Sequence, residues 1–68
     1  MSLTIRINGK DEILAAANVA ELLHARGIDK PRGLAVALNG AVVPARLWGT
    51  RALVAGDEIE IVRPFGGG

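Results

Sequence analysis

The sequence predicts an α+β domain in which one mixed sheet wraps around a single helix. Three observations carry that prediction. Two Asn-Gly pairs, Asn8-Gly9 and Asn39-Gly40, each divide runs rich in β-forming residues; one short amphipathic segment lies between these hairpins; and Glu58-Ile59-Glu60-Ile61-Val62 alternates once more near the end. With 68 residues there is room for one domain, and a chain this short buries only about 60% of the surface its unfolded form exposes. Every large apolar residue is therefore expected in one core.

Taken in order, Leu3, Ile5 and Ile7 alternate with Thr4 and Arg6, the period of a half-buried strand. Asn8-Gly9 is the strongest short-range hairpin signal, and a second strand follows over Lys10 to Leu14. Asn18 with Glu21 three residues later has the spacing of a helix N-cap and a residue that reaches back to it. Val19, Leu22 and Leu23 then share a face, and Gly27 after His24 and Arg26 suits the left-handed residue that ends a helix, which sets the helix at Val19 to Arg26. Isolated helices under about 12 residues rarely hold, so this one must dock on the sheet to exist.

Asp29-Lys30-Pro31-Arg32-Gly33 reads as a loop. Leu34, Val36 and Leu38 mark a third strand, and Asn39-Gly40 turns it into Ala41-Val42-Val43, which Pro44 stops because proline cannot donate to a ladder. A compact turn through Arg46, Leu47 and Trp48 to Gly49 precedes the final strand. The order hairpin, helix, hairpin, strand is accommodated by placing the first and last strands side by side and parallel at the centre, joined by a right-handed crossover. This is the β-grasp arrangement, spanning residues 1–63, with 64–68 as a flexible glycine-rich tail.

Composition narrows the function classes. The formal charge of +1 is too small to hold a polyanion by counterion release, and the eight basic residues are scattered, which argues against nucleic acid. The opening Met1-Ser2-Leu3-Thr4-Ile5-Arg6 lacks the pattern of a signal peptide, and no run is long enough to span a bilayer, so a soluble cytoplasmic protein is expected. There is no cysteine, hence no disulfide, thiolate metal site or side-chain persulfide. Ser2, Thr4 and Thr50 are the hydroxyls and His24 the one imidazole; nothing resembles a nucleophile with a base and an orienter, so an enzyme is not expected.

The tail, Arg63-Pro64-Phe65-Gly66-Gly67-Gly68, combines a proline that favours extension with three residues that carry no side chain. Such a thread enters a narrow enzyme channel that would reject any branched residue. A frayed end is the ordinary reading of terminal glycines. Phe65 lies beyond the last strand, where no core position is expected, so Arg63, Pro64 and Phe65 are candidate partner contacts. Trp48 is read as covering the edge of the core, in preference to anchoring an interface. His24 is off the apolar face and is read as an exposed helical residue. Asp57, Glu58 and Glu60 read as a solvated acidic run, Asp57 serving the turn with Gly56, and Arg46, Arg51 and Arg63 are candidate counterions for it or for a partner.

Over nearly its whole length the chain resembles the ThiS family, the ubiquitin-like sulfur carrier proteins of thiamin (thiazole) biosynthesis. The resemblance is carried by Asn18-Val19-Ala20-Glu21-Leu22-Leu23 with Gly27-Ile28, by Asn39-Gly40-Ala41-Val42-Val43-Pro44, Trp48 and Leu53, and by Gly56-Asp57-Glu58-Ile59-Glu60-Ile61-Val62 with the closing Gly67-Gly68. It implies that the carboxylate of Gly68 is adenylated with ATP by an E1-like enzyme, ThiF, and converted to a thiocarboxylate with sulfur from a cysteine desulfurase. Delivery to thiazole synthase, ThiG, comes next. On that reading the protein is a consumed co-substrate with no cofactor or metal of its own. Two features depart from the family's pattern: Ala45 separates Pro44 from Arg46, and Gly66 adds a third glycine. The small subunit of molybdopterin synthase is the alternative within the same chemistry, and a non-carrier β-grasp binding module the alternative outside it.

Overall fold

The computed structural model describes residues 2–28 and 33–63. Its elements are β1 (Leu3–Ile7), β2 (Lys10–Leu14), α1 (Val19–Ala25), β3 (Ala35–Leu38), β4 (Ala41–Val42), a 3₁₀ turn (Ala45–Leu47) and β5 (Glu58–Val62). They form one sheet in the order β2-β1-β5-β3-β4, with β1 and β5 parallel and every other pairing antiparallel. The expected central pair of first and last strands is therefore present, and the fold is the β-grasp.

Both hairpins turn on asparagine and glycine with positive φ, at 50° and 85° for Asn8 and Gly9 and 51° and 84° for Asn39 and Gly40. Two consecutive left-handed residues make the type I′ turn, whose twist matches that of the flanking strands. The first turn sets the register Leu3↔Leu14 through Ile7↔Lys10. That register sends Ile5 and Ile7 to the helix side and Thr4 and Arg6 to the outer face.

The helix begins as its sequence indicates. Asn18 accepts a hydrogen bond from the Glu21 backbone N–H at 2.8 Å, and the Glu21 carboxylate accepts from the Ala17 N–H at 2.9 Å. It ends one residue sooner than expected, at Ala25, with Arg26 as the C-cap. Gly27 at φ 79° lets the Ile28 N–H reach back to the Leu23 carbonyl and its own N–H to that of His24, both at 2.9 Å. These are the two bonds of a Schellman motif.

Val19, Leu22 and Leu23 pack against Ile5, Ile7, Val36, Leu38 and Ile59 in a single core. Buried side chains of this size each contribute about 1.5–3 kcal/mol by leaving water. Trp48 closes one edge of the core, buried, with its indole N–H donating to the Val43 carbonyl at 2.8 Å. The connection after the 3₁₀ turn is stitched to the start of the helix: the Val19, Ala20 and Leu53 amides bond to the Arg51, Trp48 and Ala17 carbonyls.

Three further expectations are adjusted. The third strand starts at Ala35, not Leu34, and the fourth is only Ala41–Val42. Val43 leaves the strand to bury its side chain while its N–H still reaches the Val36 carbonyl at 2.8 Å. Finally, Asp57 is not part of a solvated acidic face. It is 7% exposed, and its carboxylate accepts from the Asn39 amide at 3.0 Å and from the Val54 backbone N–H at 2.8 Å. The loop read over residues 29–33 lies outside the described residues except for Gly33.

Candidate functional site: the root of the C-terminal tail

Strand β5 runs along the centre of the sheet and delivers the chain to Arg63. Pro64, Phe65, Gly66, Gly67 and Gly68 lie outside the described residues, so the structure places only the root of the tail. Arg63 is exposed and makes no ion pair with a described residue. With Asn8, Arg26, Ile28 and Ile61 it borders an open cleft of about 280 Å³. Arg26 is committed within the fold, its Nη1 donating to both carboxylate oxygens of Glu12 at 2.9 and 3.1 Å. Arg63 is thus the cation of this cleft with no protein carboxylate beside it among the described residues.

The end of β5 is held from both sides. On one side β3 pairs with it through Ala35↔Val62 and Val36↔Ile61. On the other, β1 pairs only as far as Ile7↔Ile59 before turning away at Asn8. There the Asn8 backbone N–H donates to the Ile59 carbonyl at 3.0 Å, and its side-chain oxygen accepts from the Ile61 N–H at 2.8 Å. The start of the strand is held in a related way, since the Asn39 side-chain oxygen accepts from the Glu58 N–H at 2.9 Å.

The outer sheet face beside the tail's root is set by strand alternation. Val62 stands opposite Ala35, and Ala37 stands between Glu60 and Val42. Against the expectation that every large apolar residue enters the core, Ile13, Val42, Leu47, Val54 and Val62 stay exposed, and the two small alanines between Val42 and Val62 leave a shallow apolar strip. Farther along the face Arg6 pairs with Asp11 at 3.1 Å and with Glu58 at 3.7 Å.

The model of the ThiS family matches residues 4–68 of the chain, through the last of the three glycines. The chain belongs to the ThiS family. Among solved structures, a crystal structure of the thiamine biosynthesis protein (ThiS) from Geobacter metallireducens is similar over the full length of both chains, with 31% identity and a TM-score of 0.78. An NMR solution structure of a thiamine biosynthesis protein from the same organism gives 30% identity and a TM-score of 0.79, over 97% of this chain and 88% of that one. No curated protein matches the chain significantly.

Within this ThiS-family fold Trp48 is a core-edge residue, as its sequence context indicates, and His24 lies exposed in the last turn of α1. Arg46 and Arg51 do not neutralise the acidic run: Glu58 is met by Arg6, and Asp57 by Asn39. Among the described residues no group of three or more His, Cys, Asp or Glu is placed to hold a metal ion, and no helix is long and apolar enough to cross a membrane. Sequence reasoning overlooked Asn8 and Asn39 as clamps on β5, because each was fully explained by its turn.

Proposed function

We propose that this protein carries sulfur for the thiazole ring of thiamin on the carboxylate of Gly68. The observation that carries the proposal is the extent of the family match, which runs from residue 4 through Gly66, Gly67 and Gly68. The relatives described as thiamine biosynthesis proteins favour this pathway over molybdopterin synthesis. A β-grasp module that binds without carrying has no use for a run of glycines after its last strand.

The chemistry stems from the reactivity of a carboxylate. Its carbon resists attack until an oxygen becomes a leaving group. Attack of the Gly68 carboxylate on the α-phosphate of ATP, in the active site of an E1-like enzyme of the ThiF kind, releases pyrophosphate and leaves an acyl-adenylate. The terminal sulfur of a protein persulfide, loaded by a cysteine desulfurase, then displaces AMP to form an acyl disulfide. A thiol of the partner proteins reduces the S–S bond, and the thiocarboxylate so released is the donor to a thiazole synthase of the ThiG kind. With no cysteine in the sequence, the sulfur has no side-chain thiolate on which to reside.

The carrier is a co-substrate and not an enzyme: it needs no cofactor of its own, and ATP belongs to the adenylating partner. A cytoplasmic location suits that partnership. Arg63, Pro64 and Phe65 are proposed to contact the partners as the glycines enter the channel. Incubation with ATP, the adenylating enzyme and a sulfur donor, followed by intact-mass measurement, tests the proposal. Exchange of one oxygen for sulfur at Gly68 supports it; an unchanged mass with an enzyme shown to be active on another carrier rejects it.

A further inference from the structure

We infer that Asn8 is a positioning residue for the tail: its carboxamide replaces the missing strand neighbour of Ile61 and so fixes the direction in which the chain leaves the fold after Arg63. This role rests on the proposal that Gly68 carries sulfur. In a regular parallel ladder the N–H and C=O of Ile61 would both meet the backbone of β1. That backbone is gone, because the chain has already turned at Asn8, whose φ is 50°. The Asn8 side chain occupies the vacated place, its oxygen accepting from the Ile61 N–H at 2.8 Å and its nitrogen facing the Ile61 carbonyl at a longer 3.4 Å. A primary amide is the side chain that reproduces the donor and acceptor of a peptide group.

The position matters because the tail begins just beyond it. Ile61 is two residues before Arg63, and among the described residues the β1 side of β5 has no other backbone partner for it. Without the carboxamide the last residues of β5 keep only the β3 side of their pairing, and strand ends with one neighbour open readily. A carrier whose tail root is open part of the time presents the bound geometry less often. The adenylating enzyme would then see a weaker substrate, with the chemical step on bound carrier unchanged.

The test uses the full chain. Asn8→Gly keeps the left-handed turn and removes only the carboxamide. It is expected to raise KM for the carrier in adenylation by at most about fivefold, the size of one lost hydrogen bond, with kcat unchanged. Asn8→Asp retains an oxygen for the Ile61 N–H and is expected to restore most of the wild-type KM. Asn39→Gly is the structural control: it removes the matching clamp at the start of β5, together with a partner of buried Asp57, and so lowers stability more while leaving KM unchanged. In the free protein, amide exchange at Ile61 should quicken in Asn8→Gly and not in Asn8→Asp. If wild-type carrier is adenylated and Asn8→Gly matches it in KM, or if Asn39→Gly raises KM equally, the role assigned to Asn8 is overturned alone. If wild-type carrier is not adenylated by an active enzyme, the carrier reading fails and this role with it.

Discussion

Replacing Asp57 with alanine is the sharpest test of how the sheet is tied together, because a single buried carboxylate joins the second hairpin to the turn that launches β5. Its two oxygens accept from the Asn39 side chain and the Val54 N–H at 3.0 and 2.8 Å, and the residue is 7% exposed. Alanine leaves both donors without a partner. Hydrogen bonds to a charged group contribute about 1.5–3 kcal/mol each, and some relaxation toward water is available, so a loss of about 3 kcal/mol is expected. A domain of this size has about 7 kcal/mol to lose, so close to half its stability disappears, and Tm falls by about 15 °C. Trp48, the single tryptophan, is buried and reports the transition by fluorescence in urea. Asp57→Asn keeps one acceptor but turns its amide toward a donor, and should lose about half as much. Combined with Asn39→Gly, the alanine variant should be less than additive, because the two residues share a bond. A loss below about 1 kcal/mol for Asp57→Ala would refute the assignment of this carboxylate as a structural tie.

Three further outcomes are expected. Deleting Gly66, Gly67 and Gly68 together abolishes formation of the thiocarboxylate, read by intact mass, with Tm unchanged; a truncated chain that unfolds would make the tail structural instead. Phe65→Ala slows sulfur transfer to the thiazole synthase without altering Tm, and an unchanged transfer rate removes Phe65 from the partner contacts. Asn18→Ala strips the N-cap bond to Glu21 and lowers stability by about 1 kcal/mol in urea titration, with adenylation kinetics intact.

The architecture was legible because local signals agreed with one another. Asn-Gly between alternating residues marked both hairpins, and Asn18, Glu21 and Gly27 bracketed the helix at both ends. The shortfalls share a physical origin. Asp57 was legible as a turn residue beside Gly56, and the Val54 N–H does bond to it, but its burial was not, because that depends on Asn39, 18 positions earlier in the chain and adjacent only after folding. Asn8 reaches across 53 positions to Ile61, and a turn residue carries no local sign that its side chain has a second task. Ala16 and Leu53 joined the core from segments without periodicity, brought together by the bond from the Leu53 N–H to the Ala17 carbonyl. The tail's role is read from its composition and the family resemblance, and its partners' surfaces are written in other chains.

Placing β5 between β1 and β3 has a consequence for the order of events during synthesis. The strand around which the other elements assemble is among the last parts of the chain to be made, so β1 and its hairpin wait, incomplete, while the ribosome reaches Val62. Contacts between segments so distant in sequence slow folding relative to local pairings. The core therefore closes only when the residues that lead directly into Gly66, Gly67 and Gly68 are in hand. A chain interrupted before β5 cannot reach the native state, so an adenylating enzyme that recognises the folded sheet would meet only carriers synthesised at least through Val62.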